Sequence, residues 1–556
     1  MSRPSLILHN AKVVTLDAGD RVAEAVAIGG DRILAIGHSD ELLAQADAAT
    51  ERLDLKGKTV IPGLIDGHAH MDREGLKEQL HSLDGIRSIA DLNERIRDIA
   101  RGLPKGEWIV TMPLGTPPDF AGMPDVLAER RWPTRDDLDR AAPDHPVYIR
   151  SIWGYWRHTL PLVSIANSRA LAACGVDRHT ASPSPSTVIE KGADGEPTGV
   201  FIENHFMPLV ELTLMKKAPA FTPEQRAQAL TRSMKIYNGY GTTGVFEGHG
   251  VAADVLSAYE AVRRRGEQTV RAHLIYSPAW SLIASDDAKK EFVAAWLKFL
   301  AGRGYGDEWL RLSGLYAEID ESAENRLRAT ALPQTGWAGF NYDAGLPKDV
   351  LREILIEAAR CNIRVVALWP NVVDLFTEVD RVVPIAGKRW VYSHLNVMNA
   401  SGIQRVRDLG LVVTTHTNRY IWKEGAALRD QLGAARENEI VPLRALLDAK
   451  VPVSLATDNV PPSLFHPIWH ASARIERNKG ACIAPDQRLT RMEALRCASR
   501  NGAYLSFEEN NKGTIEAGKL ADMVVTSADP LTVEDAQLRH IRSERTIVDG
   551  KIVYTR

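Results

Sequence analysis

The chain has 556 residues, 44% hydrophobic and 25% charged, with 68 Lys+Arg against 71 Asp+Glu and a formal net charge of −3. This is the balance of an ordinary globular protein, and it argues against nucleic acid or an anionic membrane as a main partner, since both need a basic surplus. No stretch approaches the ~18 apolar residues of a membrane span; the N-terminus lacks a signal-like apolar run, and Cys174, Cys361, Cys482 and Cys497 form no CxxC pair, so a soluble cytoplasmic protein is expected.

In chain order, the first sixty residues read as short strands: Ser5-Leu6-Ile7-Leu8, Lys12-Val13-Val14-Thr15, Ala25-Val26-Ala27-Ile28 and Arg32-Ile33-Leu34-Ala35, parted by glycine and aspartate turns. Residues 71–200 are too long for one barrel connection and are predicted to be an inserted cap, with 180–186 a loop. From about residue 232 the pattern becomes amphipathic helix, glycine turn and apolar strand, repeated. Its strands include Thr243-Gly244-Val245-Phe246, residues 363–368, Val391-Tyr392-Ser393, residues 410–415 and 451–456. Such βα units imply a parallel sheet, and their number in a chain this long favours closure into a barrel. The basic run Arg263-Arg264-Arg265 is read as a solvated helix end. The last fifty residues return to strands, with Asp549-Gly550 between two apolar runs as a hairpin signal. The predicted fold class is therefore α/β: a (β/α)8 TIM-like barrel over 63–507, with a small β-sandwich domain formed by both chain ends, 1–62 and 508–556.

Three segments carry chemistry. In Val60-Ile61-Pro62-Gly63-Leu64-Ile65-Asp66-Gly67-His68-Ala69-His70 an apolar run leads to two histidines two apart. Residues i and i+2 of a strand share a face, so both imidazoles can reach one ion. Val453-Ser454-Leu455-Ala456-Thr457-Asp458 ends a strand in a carboxylate, able to bind an ion or accept a proton, or else to cap the next segment. Lys388-Arg389-Trp390-Val391-Tyr392-Ser393-His394 ends another strand in histidine. Neither GxxxxGKS/T nor a strand-linked GxGxxG occurs, so no phosphate loop is expected.

These segments resemble the amidohydrolase superfamily, and within it the family 3 group that includes N-substituted formamide deformylase-like enzymes. The similarity spans nearly the whole chain: the opening residues 8–17, the PGLIDGHAH segment at 62–70, Asn167-Ser168-Arg169-Ala170-Leu171, residues 194–200 and the return at 513–522. The resemblance implies His68 and His70 at the end of strand one, His394 at strand six and Asp458 at strand eight. Two departures stand out. The fifth-strand histidine of the family is missing from Ala367-Leu368-Trp369-Pro370-Asn371, and the fourth-strand lysine is missing from Ser313-Gly314-Leu315-Tyr316-Ala317-Glu318. Both losses favour one divalent ion over two. The expected metal set is His68, His70, His394 and Asp458, with zinc the default.

Asp458, His394 and His416 are the expected catalytic residues; Glu318, Glu247, His416 and Trp369 are candidates for further metal or substrate contact, and His249 and the cap's His158 rank below them. Trp337, Trp369 and Trp422 fall near predicted strand ends and would suit an aromatic substrate if they face it. The implied reaction is hydrolysis of a small amide-type substrate, an N-acyl or N-formyl amine, with a deaminase or cyclic-amide hydrolase as the rival and a catalytically silent binding protein as the outlier. A homo-oligomer is left open.

Overall fold

The computed structural model of the chain describes residues 3–117, 120, 122–152, 160–205, 208–320, 322, 324, 327, 339, 341 and 344–556; His158 and Trp337 lie outside them. Eight parallel strands build the barrel: Leu64–Asp66, Thr242–Val251, Arg271–Tyr276, Leu310–Ile319, Val365–Leu368, Val391–Ser393, Val412–Thr415 and Val453–Leu455, each paired with the next. The ring is nearly closed where the first strand meets the eighth. There Gly67 N donates to Leu455 O and Asp458 N to His68 O, both at 3.0 Å.

The helices between strands show why the chain alternates. Pro223–Gly239 begins at Thr222 with a reciprocal capping box to Gln225 and a proline in its first turn, which satisfies the first orphan amides. Lys348–Arg360 buries Leu351, Ile354, Leu355 and Ala358 on one stripe against the strands. Truncating one such leucine to alanine costs about 2–5 kcal/mol. Inside the ring, Phe246, Ile275, Tyr316, Val366, Leu368, Val391 and Val412 form one buried cluster, so the barrel is a packed core and not a pore.

Between the first and second barrel strands lies a separate six-stranded mixed sheet made of His81–Leu83, Ile109–Leu114, Val147–Ile149, Leu162–Ala166, Thr187–Lys191 and Pro197–Glu203. It packs its own core, including Leu92, Ile96, Leu138 and Ile149, beneath the helix Ile89–Arg101. The two chain ends share another sheet. Met523–Thr526 pairs antiparallel with Thr59–Pro62, whose other neighbour is Lys12–Val14. Four further N-terminal strands form a second sheet, and Leu8, Val26, Ile28, Val60, Met523 and Ile547 belong to one buried cluster. Asp549 and Gly550 take φ of 57° and 73° between Ser543–Val548 and Lys551–Thr555, the left-handed pair that a two-residue hairpin turn requires. Arg271 fastens this region to the barrel. Its Nε donates to Asp522 Oδ2 at 2.7 Å, and one terminal nitrogen donates to Asp522 Oδ1 and Asp549 Oδ1, each at 3.0 Å.

Among the described residues no helix is long and apolar enough to cross a membrane.

Candidate metal centre

Parallel strands aim their C-terminal ends at one mouth of the barrel, and the residues just beyond those ends meet there. His68 and His70 follow the first strand, Trp369 the fifth, His394 the sixth, His416 the seventh and Asp458 the eighth. The backbone at three of these exits is left-handed without glycine: φ is 74° at Trp369, 59° at His394 and 53° at Asp458. Each such residue costs about 1–3 kcal/mol, a strain that persists only where the surroundings over-determine it and that gathers at functional sites.

The side chains converge. His70 Nε2 lies 3.0 Å from Asp458 Oδ1, and His68 Nε2 lies 4.0 Å from the same oxygen. His394 sits between two rings, with Nε2 3.2 Å from His68 Nε2 and Nδ1 3.2 Å from His416 Nε2. His416 Nδ1 is 3.5 Å from Asp458 Oδ2. Every one of these residues is buried. Burial, the first cause, holds the His68 imidazole at about 4 and that of His70 at about 3, the Arg73 cation helping in both cases against the pull of Asp458. Burial also drives His394 well below the ordinary histidine range, assisted by His416 and His68. At neutral pH these rings are uncharged, the form that donates a lone pair.

The donor set fits a divalent cation. Neutral imidazole nitrogens face one another around one carboxylate, an arrangement in which a shared cation is a better partner than a limited supply of protons. His68 Nδ1 is buried and has no hydrogen-bond partner among the described residues. Arg73 donates to His70 Nδ1 at 2.5 Å.

The other candidates separate. Glu247 Oε1 accepts from Met71 N at 2.9 Å and from the Tyr259 hydroxyl at 2.7 Å, and with His70 and Asp72 it forms a second buried group within ligand range. Burial raises the carboxyl pKa of both Glu247 and Asp72, helped by the Asp72 charge at Glu247 and opposed by Arg73 and Arg226 at Asp72. Glu318 is buried and accepts from the Tyr316 hydroxyl at 3.1 Å. Trp369 stands edge-on to His394, ring centroids 5.5 Å apart. Trp422 packs against Trp469 at 5.4 Å and under the Arg539 guanidinium at 5.3 Å, so its expected role at a strand-end wall gives way to an aromatic–cation cluster.

Sequence reasoning passed over Asp66, Arg73 and Tyr316. Asp66 is fully buried and accepts from Thr457 N at 3.0 Å, His68 N at 3.2 Å and the Thr457 hydroxyl, riveting the first strand to the eighth. Burial dominates those bonds and pushes its carboxyl up to about 6. An aspartate between an apolar run and the histidine pair was the available signal.

Comparison with known proteins decides the family: a model described as the amidohydrolase family matches residues 51–554. The chain belongs to the amidohydrolase family. An N-substituted formamide deformylase of Arthrobacter pascens is 27% identical over 99% of this chain and 98% of its own. Protein LONG AFTER FAR-RED 3 of Arabidopsis thaliana is 24% identical over 94% of this chain and 87% of its own. In fold, a metal-dependent hydrolase of Pyrococcus furiosus superposes with a TM-score of 0.67 at 21% identity, covering 95% of this chain and 100% of that one. This amidohydrolase is thus a metal-dependent hydrolase of carbon–nitrogen bonds, with its histidine and aspartate groups gathered at the barrel mouth.

Proposed function

We propose that the chain hydrolyses the amide bond of a small N-acyl or N-formyl amine with one divalent cation, zinc by default, held by His68, His70, His394 and Asp458. The main support is the meeting of these four buried side chains in one cluster, at 3.0 to 4.0 Å from ring to carboxylate on the first strand's side. The lack of a lysine in the fourth-strand residues 313–318, where the family often has a bridging one, supports one ion over two. For His70 to ligate through Nε2 its one ring proton must sit on Nδ1, which displaces the Arg73 donation there.

A bound divalent cation supplies Lewis acidity toward an amide carbonyl and toward water. Asp458 takes a proton from the attacking water and delivers it to the leaving amine, which would otherwise depart as a poor anion. His416, 3.5 Å from Asp458 Oδ2, steadies that carboxylate, and His394 or His416 donates to the oxyanion developing on the carbonyl. Trp369 offers the substrate an apolar wall, while Glu247 and Glu318 lie behind the histidines as further polar contacts. In this reading residues 1–62 and 508–556 make one small β-sandwich domain, 63–507 the catalytic barrel and 71–200 its cap.

The test is a panel of N-formyl and N-acyl amines scored by product. Equimolar amine and carboxylic acid are expected, with aromatic substrates favoured by up to about tenfold, the worth of one aromatic contact. Ammonia without an amine would assign a deaminase instead, and equal turnover of aromatic and aliphatic amides would remove the wall from Trp369.

A further inference from the structure

We propose that His249, from the second barrel strand, is an additional ligand of the same cation and replaces the imidazole that the fifth strand lacks; the inference rests on the metal reading above. The nitrogens of His68, His249 and His394 include a set in which all three lie within 4.8 Å of one another. The His249 ring centroid is 6.1 Å from that of His68, 5.7 Å from His70 and 6.4 Å from His394, so it stands beside all three rings.

The backbone around it is shaped for this approach. His249 is flanked by Gly248 and Gly250 inside a continuous strand, Thr242–Val251. A Cβ on Gly248 would stand 2.6 Å from His68 Nδ1. Gly250 has φ of +80°, and a Cβ there would stand 2.9 Å from Tyr316 Cβ. Two glycines in a strand interior cost stability, and here each lets the strand press against a group of the site.

Hydrogen bonding then sets the tautomer. The Tyr316 hydroxyl has one proton and donates it to Glu318 Oε2 at 3.1 Å. Its second contact, His249 Nε2 at 3.0 Å, must therefore be one in which the hydroxyl accepts. The His249 proton sits on Nε2, and the lone pair is left on Nδ1. A ligating histidine whose other nitrogen donates to a hydroxyl–carboxylate chain is the usual outer-shell arrangement around a metal. Tyr316 also stacks on the ring, centroids 4.8 Å apart at 29°, which fixes the plane of the imidazole. Plain packing of His249 on Tyr316 would explain the stack but not the two glycines turned toward His68 and Tyr316 together.

The experiment compares wild type, His249→Ala and Tyr316→Phe as apo proteins titrated with cobalt(II), reading the visible ligand-field spectrum and competition with a chromophoric chelator; thermal melts of the apo forms check folding. His249→Ala is expected to weaken cobalt affinity at least tenfold and to change the visible bands. Tyr316→Phe, which keeps the stack and loses the hydroxyl, is expected to weaken it by about 10–100-fold, the range for an outer-shell partner. If His249→Ala does not fold, the Tyr316→Phe shift carries the test. Wild-type cobalt affinity and spectrum in His249→Ala would overturn the proposal and leave the other ligands standing. Failure of the wild type to take up cobalt or zinc would overturn the metal centre itself, and His249's role with it.

Discussion

Asp458→Asn is expected to lower amide turnover by about 10²–10⁴-fold at saturating metal, the usual worth of a positioned general acid–base. Asparagine keeps the shape and one oxygen of the side chain, so the His70 and His416 contacts at 3.0 and 3.5 Å have an acceptor or donor to meet, but the amide takes up no proton at working pH. Loss of turnover with metal still bound identifies Asp458 as the proton carrier. Loss of turnover together with the metal would make its ligand role dominant, to be checked by raising metal concentration until occupancy returns. Turnover within threefold of wild type at full occupancy would remove Asp458 from proton transfer. No activity in either form, with unchanged small-molecule binding, would favour a binding protein on the same fold.

The second large effect concerns stability. Arg271 and Asp522 are 1% and 3% exposed and form a two-bond ion pair, with Asp549 as a third partner. The pair joins the third barrel strand to the residue just before the strand Met523–Thr526. The carboxylates hold the Arg271 charge firmly despite its burial. Arg271→Met leaves Asp522 buried without its cation, and an uncompensated buried charge costs about 3–5 kcal/mol. The first unfolding transition in denaturant is expected to move by that amount. Adding Asp522→Asn in the same chain should restore part of it, because the cost lies in the orphaned charge. A shift below about 1 kcal/mol in the single variant would mean that water reaches Asp522 and screens it.

The parts of the fold and site that were legible in the sequence share one physical property: they are local. An apolar run that ends in histidine or aspartate reads directly as a barrel strand and its mouth, which is how His68, His70, His394 and Asp458 were found, and how His416 joined them. The Asp549-Gly550 hairpin was legible because only a few residue types accept two left-handed conformations in a row. What was hidden depends on partners far away in the chain. Asp66 matters through Thr457, 391 positions later, and Arg271 through Asp522, 251 positions later. His249 ranked below the other candidates in the sequence; the strand runs through it to Val251, with the flanking glycines making room for His68 and Tyr316. The departure at Trp369 was visible as a missing histidine, yet nothing in the local pattern could say that an imidazole stood across the barrel on another strand. Trp422 fell near a strand end in sequence but its ring is claimed by Trp469 and Arg539.

The central claim is one cation at the barrel mouth. Elemental analysis of protein purified without chelator, beside the His68→Ala/His70→Ala double variant, tests it most directly. The account predicts about one equivalent of a transition metal per chain, lost in the variant. Two equivalents would contradict the single-ion centre and point to the His70, Asp72 and Glu247 group as the second site; none in the native protein, even after reconstitution with zinc, would contradict the metal-dependent mechanism altogether.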